Sequence, residues 1–219
     1  MLVTAGGTRE PIDAVRFLGN RSSGRMGFAL AAEAARRGAG VTVIAANVGL
    51  ERDPAIRYVD VQTTEDLLEA CEAEFDTADV LLMAAAVADF RPREQQAGKI
   101  KKLETGAELD LALVRTPDVL AALAERRRPD QLLVGFAAEH GPEAVPNARG
   151  KLERKKLDAV VVNDVSQPGI AFDAPDNEVV IVMREREVPV PKAAKELVAR
   201  EILDAVLSRR SDSPVRVAP

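Results

Sequence analysis

The chain reads as a Rossmann-like, doubly wound α/β protein with a mainly parallel sheet and an added C-terminal β-hairpin. Three observations predict this. Apolar, β-branched runs alternate with segments of helical period as far as Ser166, the pattern of βαβ units around a parallel sheet. Glycine-rich turns follow the first of these runs, where such sheets bind ligands. Beyond Ser166 two apolar runs lie close together with only turn residues between them, as in a hairpin.

The apolar runs predict strands at residues 2–5, 41–46, 56–61, 80–85, 132–136 and 160–162, and helical periodicity predicts helices at 25–37, 64–74, 117–126 and 146–156. Thr63 or Thr64 caps the second helix, with Glu65 and Asp66 in its first turn, and Thr116-Pro117-Asp118 places a proline just inside the third. The hairpin pairs residues 169–173 with 179–183 across Ala174-Pro175-Asp176-Asn177-Glu178. A last helix at 192–207 aligns Ala194, Val198, Ile202, Ala205 and Val206 on one stripe, which should cover a sheet face. Residues 1–207 thus read as one domain, and the polar, proline-containing tail 208–219 as disordered.

Composition narrows the function. The 219 residues are 47% hydrophobic and 30% charged, ordinary for a globular chain. A net charge of −5 provides no global positive field for nucleic acid or anionic membrane, so an anion site must be local. With no Trp and one Tyr, stacking platforms for single-stranded nucleic acid are scarce. No run approaches the roughly 20 apolar residues of a membrane span, and Cys71 is the only cysteine, so a cytoplasmic protein without an intramolecular disulfide is expected. One histidine, His140, and one cysteine exclude a zinc set and a Cys-His pair with any choice of partners. His140 follows a strand end and reads as a surface side chain, and Cys71 as buried and inert.

The first strand ends in Ala5-Gly6-Gly7-Thr8, and Gly19-Asn20-Arg21-Ser22-Ser23-Gly24-Arg25-Met26-Gly27 then leads into an Ala-rich helix. Ser22, Ser23 and Gly24 at that helix start offer a hydroxyl and backbone N–H groups to a phosphate, and Gly24 and Gly27 permit close approach. Equally, the glycines could serve helix–strand packing alone, with Ser22 a simple N-cap and Asn20 in a left-handed backbone conformation. The dinucleotide fingerprint is not met, because residues 9–18 intervene between strand and Gly-rich turn. After the strand at 80–85, Ala86-Val87-Ala88-Asp89 leaves room for a flat ring, while Asp89 can accept from a sugar hydroxyl, contact an exocyclic amine or cap a helix. The segment 91–98 runs into Lys99-Ile100-Lys101-Lys102, suited to closing over a triphosphate, and Lys151 and Lys155 share one helix face. Either lysine group also fits a solvated surface.

Together with Arg9-Glu10-Pro11, Val15-Arg16-Phe17, Val134-Gly135-Phe136-Ala137-Ala138-Glu139 and Asn163-Asp164-Val165-Ser166, these blocks resemble phosphopantothenoylcysteine synthetase across residues 1–207. The likeness is to the bacterial CTP-dependent type, usually the C-terminal half of a bifunctional coenzyme A biosynthesis protein. The resemblance implies a homodimeric ligase that joins 4′-phosphopantothenate to cysteine through an acyl-cytidylate formed from CTP with Mg²⁺. A flavin-dependent decarboxylase, fused or separate, would be its pathway partner.

Carried over by position, the resemblance makes Asn20 the amide that holds the acyl-nucleotide and Lys99 the flap lysine acting on the triphosphate. It assigns nucleotide phosphate to Ser22, Gly24 and Gly27 with Gly6 nearby, and extends the nucleotide site to Ala84, Ala85 and Asp89. Pro117, Asp118, Val119 and Leu120 join that site, as do Phe136, packed on base or ribose, and Lys151 and Lys155. Asn20, Ala85, Ala86 and Arg16 would meet the acyl substrate, Arg16 either by contact or from the subunit interface; metal ligands are not assigned. Ala14 departs from the usual proline before Val-Arg. Two other readings stand beside this one: an NAD(P)-dependent Rossmann-like oxidoreductase and a nucleotide-sensing domain without turnover.

Overall fold

In the computed structural model, residues 1–101, 108–139, 141–164 and 174–211 are described. Lys102, His140, Val165, Ser166, the expected strand at 169–173 and the tail 212–219 lie outside them.

The chain begins with strand β1 (Leu2–Gly6), a small hairpin of β2 (Arg9–Pro11) and β3 (Phe17–Gly19), and helix α1 (Arg25–Arg36). Strands β4 (Thr42–Ala46) and β5 (Arg57–Val61), helix α2 (Thr64–Phe75) and strand β6 (Val80–Met83) follow. A second small ribbon, β7 (Phe90–Pro92) with β8 (Leu113–Arg115), precedes α3 (Val119–Glu125), β9 (Leu132–Glu139), α4 (Ala144–Arg154) and β10 (Ala159–Asp164). The chain then turns back through β11 (Asp176–Met183) and β12 (Glu187–Ala194) into α5 (Lys195–Ser211).

One eight-stranded sheet runs β12-β11-β10-β9-β6-β1-β4-β5, parallel from β10 to β5, with β11 and β12 antiparallel. Because successive strand residues point to opposite faces, β1, β4, β6 and β10 each supply both cores. Val3, Val43, Leu82 and Val161 pack with Leu30 of α1 and Val198, Ile202 and Val206 of α5. Leu2, Ile44, Leu81 and Val160 pack with Leu67 of α2, Leu123 of α3 and Leu152 of α4. Both faces are covered, which is why the parallel strands read as continuous apolar runs. Among the described residues no helix is long and apolar enough to cross a membrane.

Several boundaries differ from expectation, each for a physical reason. Thr63 caps α2 in a reciprocal box with Asp66, while the buried Thr64 hydroxyl donates to Glu10 Oε1 at 2.8 Å. Helix α3 starts at Val119 because the Asp118 side chain accepts from the Ala121 N–H, so Pro117 precedes the helix. The antiparallel hairpin pairs Val180 with Pro189 and Asp176 with Ala194. The expected strand at 179–183 is therefore its first arm, and its second arm takes in residues 192–194, the expected start of the last helix. Pro189 and Pro191 are tolerated because β12 is an edge strand. Pairing with β11 also holds Ala193 and Ala194 extended, so α5 opens at Lys195, and it continues past residue 207 to Ser211. Residues 208–211 are thus helical, not part of a disordered tail.

The joint between β1 and α1 is steric. Gly6 has φ +86°, and a Cβ on it would lie 2.0 Å from the Ala46 carbonyl oxygen. Gly27, in the first turn of α1, lies so close to β1 that a Cβ would meet that of Ala5 at 2.6 Å. Gly38 offers the contrast, with φ +83° but nothing within 4 Å of a Cβ. Gly38→Ala should therefore cost only the left-handed strain, about 1–2 kcal/mol. Gly6→Ala should cost clearly more, because the backbone of β4 must move. Urea denaturation of the two variants reads this difference directly, and equal midpoints would refute the steric account.

Candidate functional site

The parallel strands place their carboxyl ends along one edge, and a cavity of about 780 Å³ opens there. One wall is the approach to α1. Asn20, Ser22 and Gly24 line it, and Gly24 is the N-cap with φ +83° and no side-chain cap. Ser22 is therefore not the N-cap, and no side-chain cap hydrogen bond is made at the N-cap of α1. Asn20 does not take a left-handed backbone conformation; its Nδ2 donates to the Val87 carbonyl at 3.0 Å, tying this wall to the segment after β6.

That segment forms the floor, lined by Ala84, Ala85, Ala86 and Asp89. Two buried threonines of the first strand region hold it. Thr4 Oγ1 accepts from the Ala85 N–H at 3.0 Å, and Thr8 Oγ1 from the Ala88 N–H at 2.9 Å. Ala86 N–H donates to Gly6 O at 2.8 Å, and the Thr116 hydroxyl donates to Ala88 O at 2.5 Å. Asp89 leads into β7 and caps no helix. The small alanine side chains thus stand on a backbone pinned from beneath.

The opposite wall comprises Pro117, Asp118, Val119 and Leu120 with Phe136, Lys151 and Lys155. Lys155 Nζ bridges Asp118, 2.8 and 2.7 Å from its two carboxylate oxygens. Burial opposes ionisation of Asp118, but the hydrogen bond from Lys155, the Ala121 N–H and the charges of both lysines outweigh it and lower its pKa. Lys151 Nζ donates to Phe136 O at 2.6 Å. Burial, then the charge of Lys155, lowers its pKa below the ordinary lysine value; Asp118, Glu139 and Asp89 only partly restore it. This wall therefore holds a desolvated cation beside an occupied ion pair.

Four expected site residues do not line this cavity. Gly6 and Gly27 shape it from behind, through the close approach of β1, β4 and α1. Arg16 and Lys99 lie elsewhere, in one substructure. The fully buried Asp13 carboxylate accepts from the Val15 and Arg16 N–H groups, both at 2.8 Å, and from the Ile100 N–H at 3.1 Å. It also takes the Arg16 guanidinium at 2.9 and 2.5 Å, and Arg16 Nη2 donates onward to Ile100 O at 2.8 Å. This clasp docks the segment carrying Lys99 on the β2–β3 hairpin. Lys99 itself is exposed and lines a separate groove of about 600 Å³ with Gln96 and Asp110.

The residues that the sequence did not single out are Thr4 and Thr8, which act by holding backbone, and Asn177 and Lys195, which line the cavity from the hairpin end. Nothing local marks a buried threonine as a peg, and Lys195 sits inside an ordinary helical pattern. Among the described residues, no group of three or more His, Cys, Asp or Glu side chains is arranged to hold a metal ion. Cys71 is buried in α2, and burial pushes its thiol up to about 12, which keeps it unreactive.

Residues 1–209 match the DNA/pantothenate metabolism flavoprotein C-terminal domain. The chain belongs to that family. It is 45% identical to the coenzyme A biosynthesis bifunctional protein CoaBC of Mycobacterium tuberculosis over 218 residues, covering 95% of this chain and 52% of that protein. Against CoaBC of Escherichia coli it is 40% identical over 210 residues, again covering 95% of this chain and 52% of that protein. The chain spans about half the length of the curated relatives it matches. In three dimensions it is similar to the crystal structure of the C-terminal domain of CoaBC, with TM-score 0.80, 34% identity, and coverage of 97% of this chain and 95% of that one. A Cab2 variant in complex with phosphopantothenate-cysteine shares the fold, with TM-score 0.75, 18% identity, and coverage of 96% and 88%.

The clasp makes a pH prediction. Burial raises the Asp13 pKa, but the Arg16 guanidinium and three backbone N–H groups prevail and hold the carboxyl well below its ordinary value. A carboxyl depressed on folding stabilises the protein above its unfolded pKa, about 4, and that stabilisation is lost as the pH falls. The difference in thermal stability between the native chain and Asp13→Asn should be largest near neutrality and shrink below about pH 4. A difference independent of pH would contradict the ionic clasp.

Proposed function

We propose that this chain is a phosphopantothenate–cysteine ligase of coenzyme A biosynthesis that activates its acid with CTP. The single observation that carries the reading is the continuity of the cavity. It runs without a break from the uncapped start of α1 and Asn20, across an alanine floor, to Phe136 and two lysines. A nucleotide and a carboxylate acceptor can therefore share one enclosure. Membership of the family, and the names of the CoaBC relatives, support the same assignment.

In the proposed reaction a carboxylate oxygen of 4′-phosphopantothenate attacks the α-phosphorus of CTP. A P–O bond forms, the bond to the β-phosphate breaks, and pyrophosphate leaves. The cysteine amine then attacks the acyl carbon, the C–N bond forms, the bond to the CMP oxygen breaks, and the amine proton passes to solvent. The α1 amides and Ser22 stabilise phosphate oxygens, while Asn20 holds the acyl-nucleotide against the Ala85 and Ala86 floor. Phe136 packs on base or ribose, Asp89 accepts from a sugar hydroxyl, and Lys151 and Lys155 supply cationic charge opposite α1. Lys99 reaches the triphosphate by movement of its segment. Mg²⁺ would enter on the triphosphate, an ion that keeps waters and phosphate oxygens as ligands and needs no protein cage.

The preference for CTP rests on likeness to the bacterial type. An oxidoreductase reading is weaker, because β4 is followed directly by Asn47, whose amide donates to Gly7 O and Gln62 O, where a ribose-binding carboxylate would stand. A homodimer suits the exposed Val15, Phe17, Phe90 and Leu113 on the two small ribbons, beside Arg16. The relatives' greater length fits a decarboxylase partner, fused or separate, in the cytoplasm.

The test is pyrophosphate release with Mg²⁺, 4′-phosphopantothenate and either CTP or ATP, with and without cysteine. Cysteine-stimulated release with CTP is expected, from a species sedimenting at about twice the chain mass of 23.5 kDa. Asn20→Asp should stay folded and lose roughly a hundredfold or more in ligation. A folded wild-type protein that releases no pyrophosphate would overturn the ligase, and an unaltered Asn20→Asp rate would remove Asn20 from the mechanism.

A further inference from the structure

The backbone ladder of the sheet stops short of the end of the cavity floor. Strands β1 and β6 pair as far as Thr4 and Met83, and a single bridge then joins Gly7 to Ala86. Beyond that bridge threonine side chains take over. The Ala88 N–H donates to Thr8 Oγ1 at 2.9 Å, and the Ala88 carbonyl accepts from the Thr116 hydroxyl at 2.5 Å. The Thr116 N–H donates to Asp89 O at 3.1 Å. The backbone at Asp89 is thus fixed from two sides, by Thr116 on the wall and by Thr8 beneath.

Thr8 is itself held. Thr64 Oγ1 lies 3.2 Å from Thr8 Oγ1 and 2.8 Å from Glu10 Oε1, and the Thr64 N–H donates to the same Glu10 oxygen at 2.9 Å. All three residues are buried, Thr8 and Thr64 at 0% exposure and Glu10 at 2%. One hydroxyl proton cannot serve two acceptors, and Thr64 gives its own to the nearer, charged oxygen. The Thr8 hydroxyl is then the donor in its contact with Thr64, which leaves a Thr8 lone pair for the Ala88 N–H. The carboxylate therefore sets the direction of every bond in the series that runs from Ala88 through Thr8 and Thr64 to Glu10.

Helix α2 does not need Glu10 for its cap, because Thr63 and Asp66 already close it with a reciprocal box. A carboxylate in a core is costly unless hydrogen bonds satisfy it. Both bonds described here come from Thr64, the residue whose hydroxyl also reaches the peg under the floor.

We infer that Glu10 is a positioning residue: through Thr64 and Thr8 it holds the Ala88–Asp89 backbone where the Asp89 carboxylate meets a sugar hydroxyl of the bound nucleotide. The inference rests on the reading of the cavity as a nucleotide site. Glu10, Thr8 and Thr64 do not line that cavity, whereas Asp89 does.

Calorimetric titration of the full chain with CTP and with 2′,3′-dideoxy-CTP, in the absence of the acid substrate, tests it without turnover. The wild-type chain should prefer CTP by about tenfold, the effect of one hydrogen bond to a charged group. Thr64→Val keeps the shape and removes the hydroxyl, and should reduce that preference by about threefold or more. Thr64→Ser, which keeps the hydroxyl, should retain it. A merely structural role would weaken both nucleotides together and leave their ratio unchanged. A wild-type preference in folded Thr64→Val, or equal binding of the two nucleotides by the wild-type chain, would overturn the assignment. Should Thr64→Val not fold, Glu10→Gln carries the test: a reduced preference supports the positioning role, and an unaltered one overturns it. A sugar preference that Thr64→Val loses, in a protein that releases no pyrophosphate, removes the ligase and keeps the positioning role. Ligation by Thr64→Val with a wild-type sugar preference keeps the ligase and removes that role.

Discussion

The structure depends on how closely the first strand, the fourth strand and the first helix approach one another. Gly6 and Gly24 both take positive φ, and a Cβ on Gly24 would lie 2.8 Å from Val48 Cγ2 and 3.2 Å from Gly6 N. No side chain could stand between these backbones. Because Gly27 also lies against Ala5 and Thr4, the start of α1 sits directly over the end of β1. Uncapped amides are thereby delivered to the sheet edge where the parallel strands end, and the cavity opens at that point.

The floor and the α3 side of the cavity are then held by groups behind them. Thr4 and Thr8 take backbone N–H groups of the alanine floor into the buried interior, and Asn20 closes the same floor from above. On the far wall Asp118 serves two structures at once, capping α3 and pairing with Lys155. That division leaves Lys151 desolvated, with its ammonium donating to the Phe136 carbonyl. The α3–α4 wall is thus electrostatically mixed, with two lysines beside the Asp118 carboxylate.

The parallel sheet and its helices were legible because both faces of β1, β4, β6, β9 and β10 are covered, which turns each strand into a continuous apolar run. The two small ribbons were not: three-residue strands such as Arg9–Pro11 and Leu113–Arg115 are too short to carry a period. Strand β12 was hidden for another reason. Pro189 and Pro191 look like breakers, and Lys192, Ala193 and Ala194 look helical, until edge pairing with β11 overrides local preference. Most of the expected site residues line the cavity, because residues after the strand ends converge by topology. Gly6 and Gly27 were grouped with the ligand site, though their geometry serves packing. Nothing in the sequence joins Arg16 to Lys99; the fold does, because the Asp13 carboxylate bonds both Arg16 and the Ile100 N–H far along the chain.

The central claim is that one cavity joins nucleotide to carboxylate before the amine arrives. Turnover of 4′-phosphopantothenate labelled with ¹⁸O in its carboxylate, in the presence of CTP and cysteine, measures this at the level of the bond. Transfer of one labelled oxygen to CMP is the result the account requires, because the carboxylate oxygen attacks the α-phosphorus and leaves with the nucleotide. Label found in pyrophosphate or inorganic phosphate, with none in CMP, would contradict it.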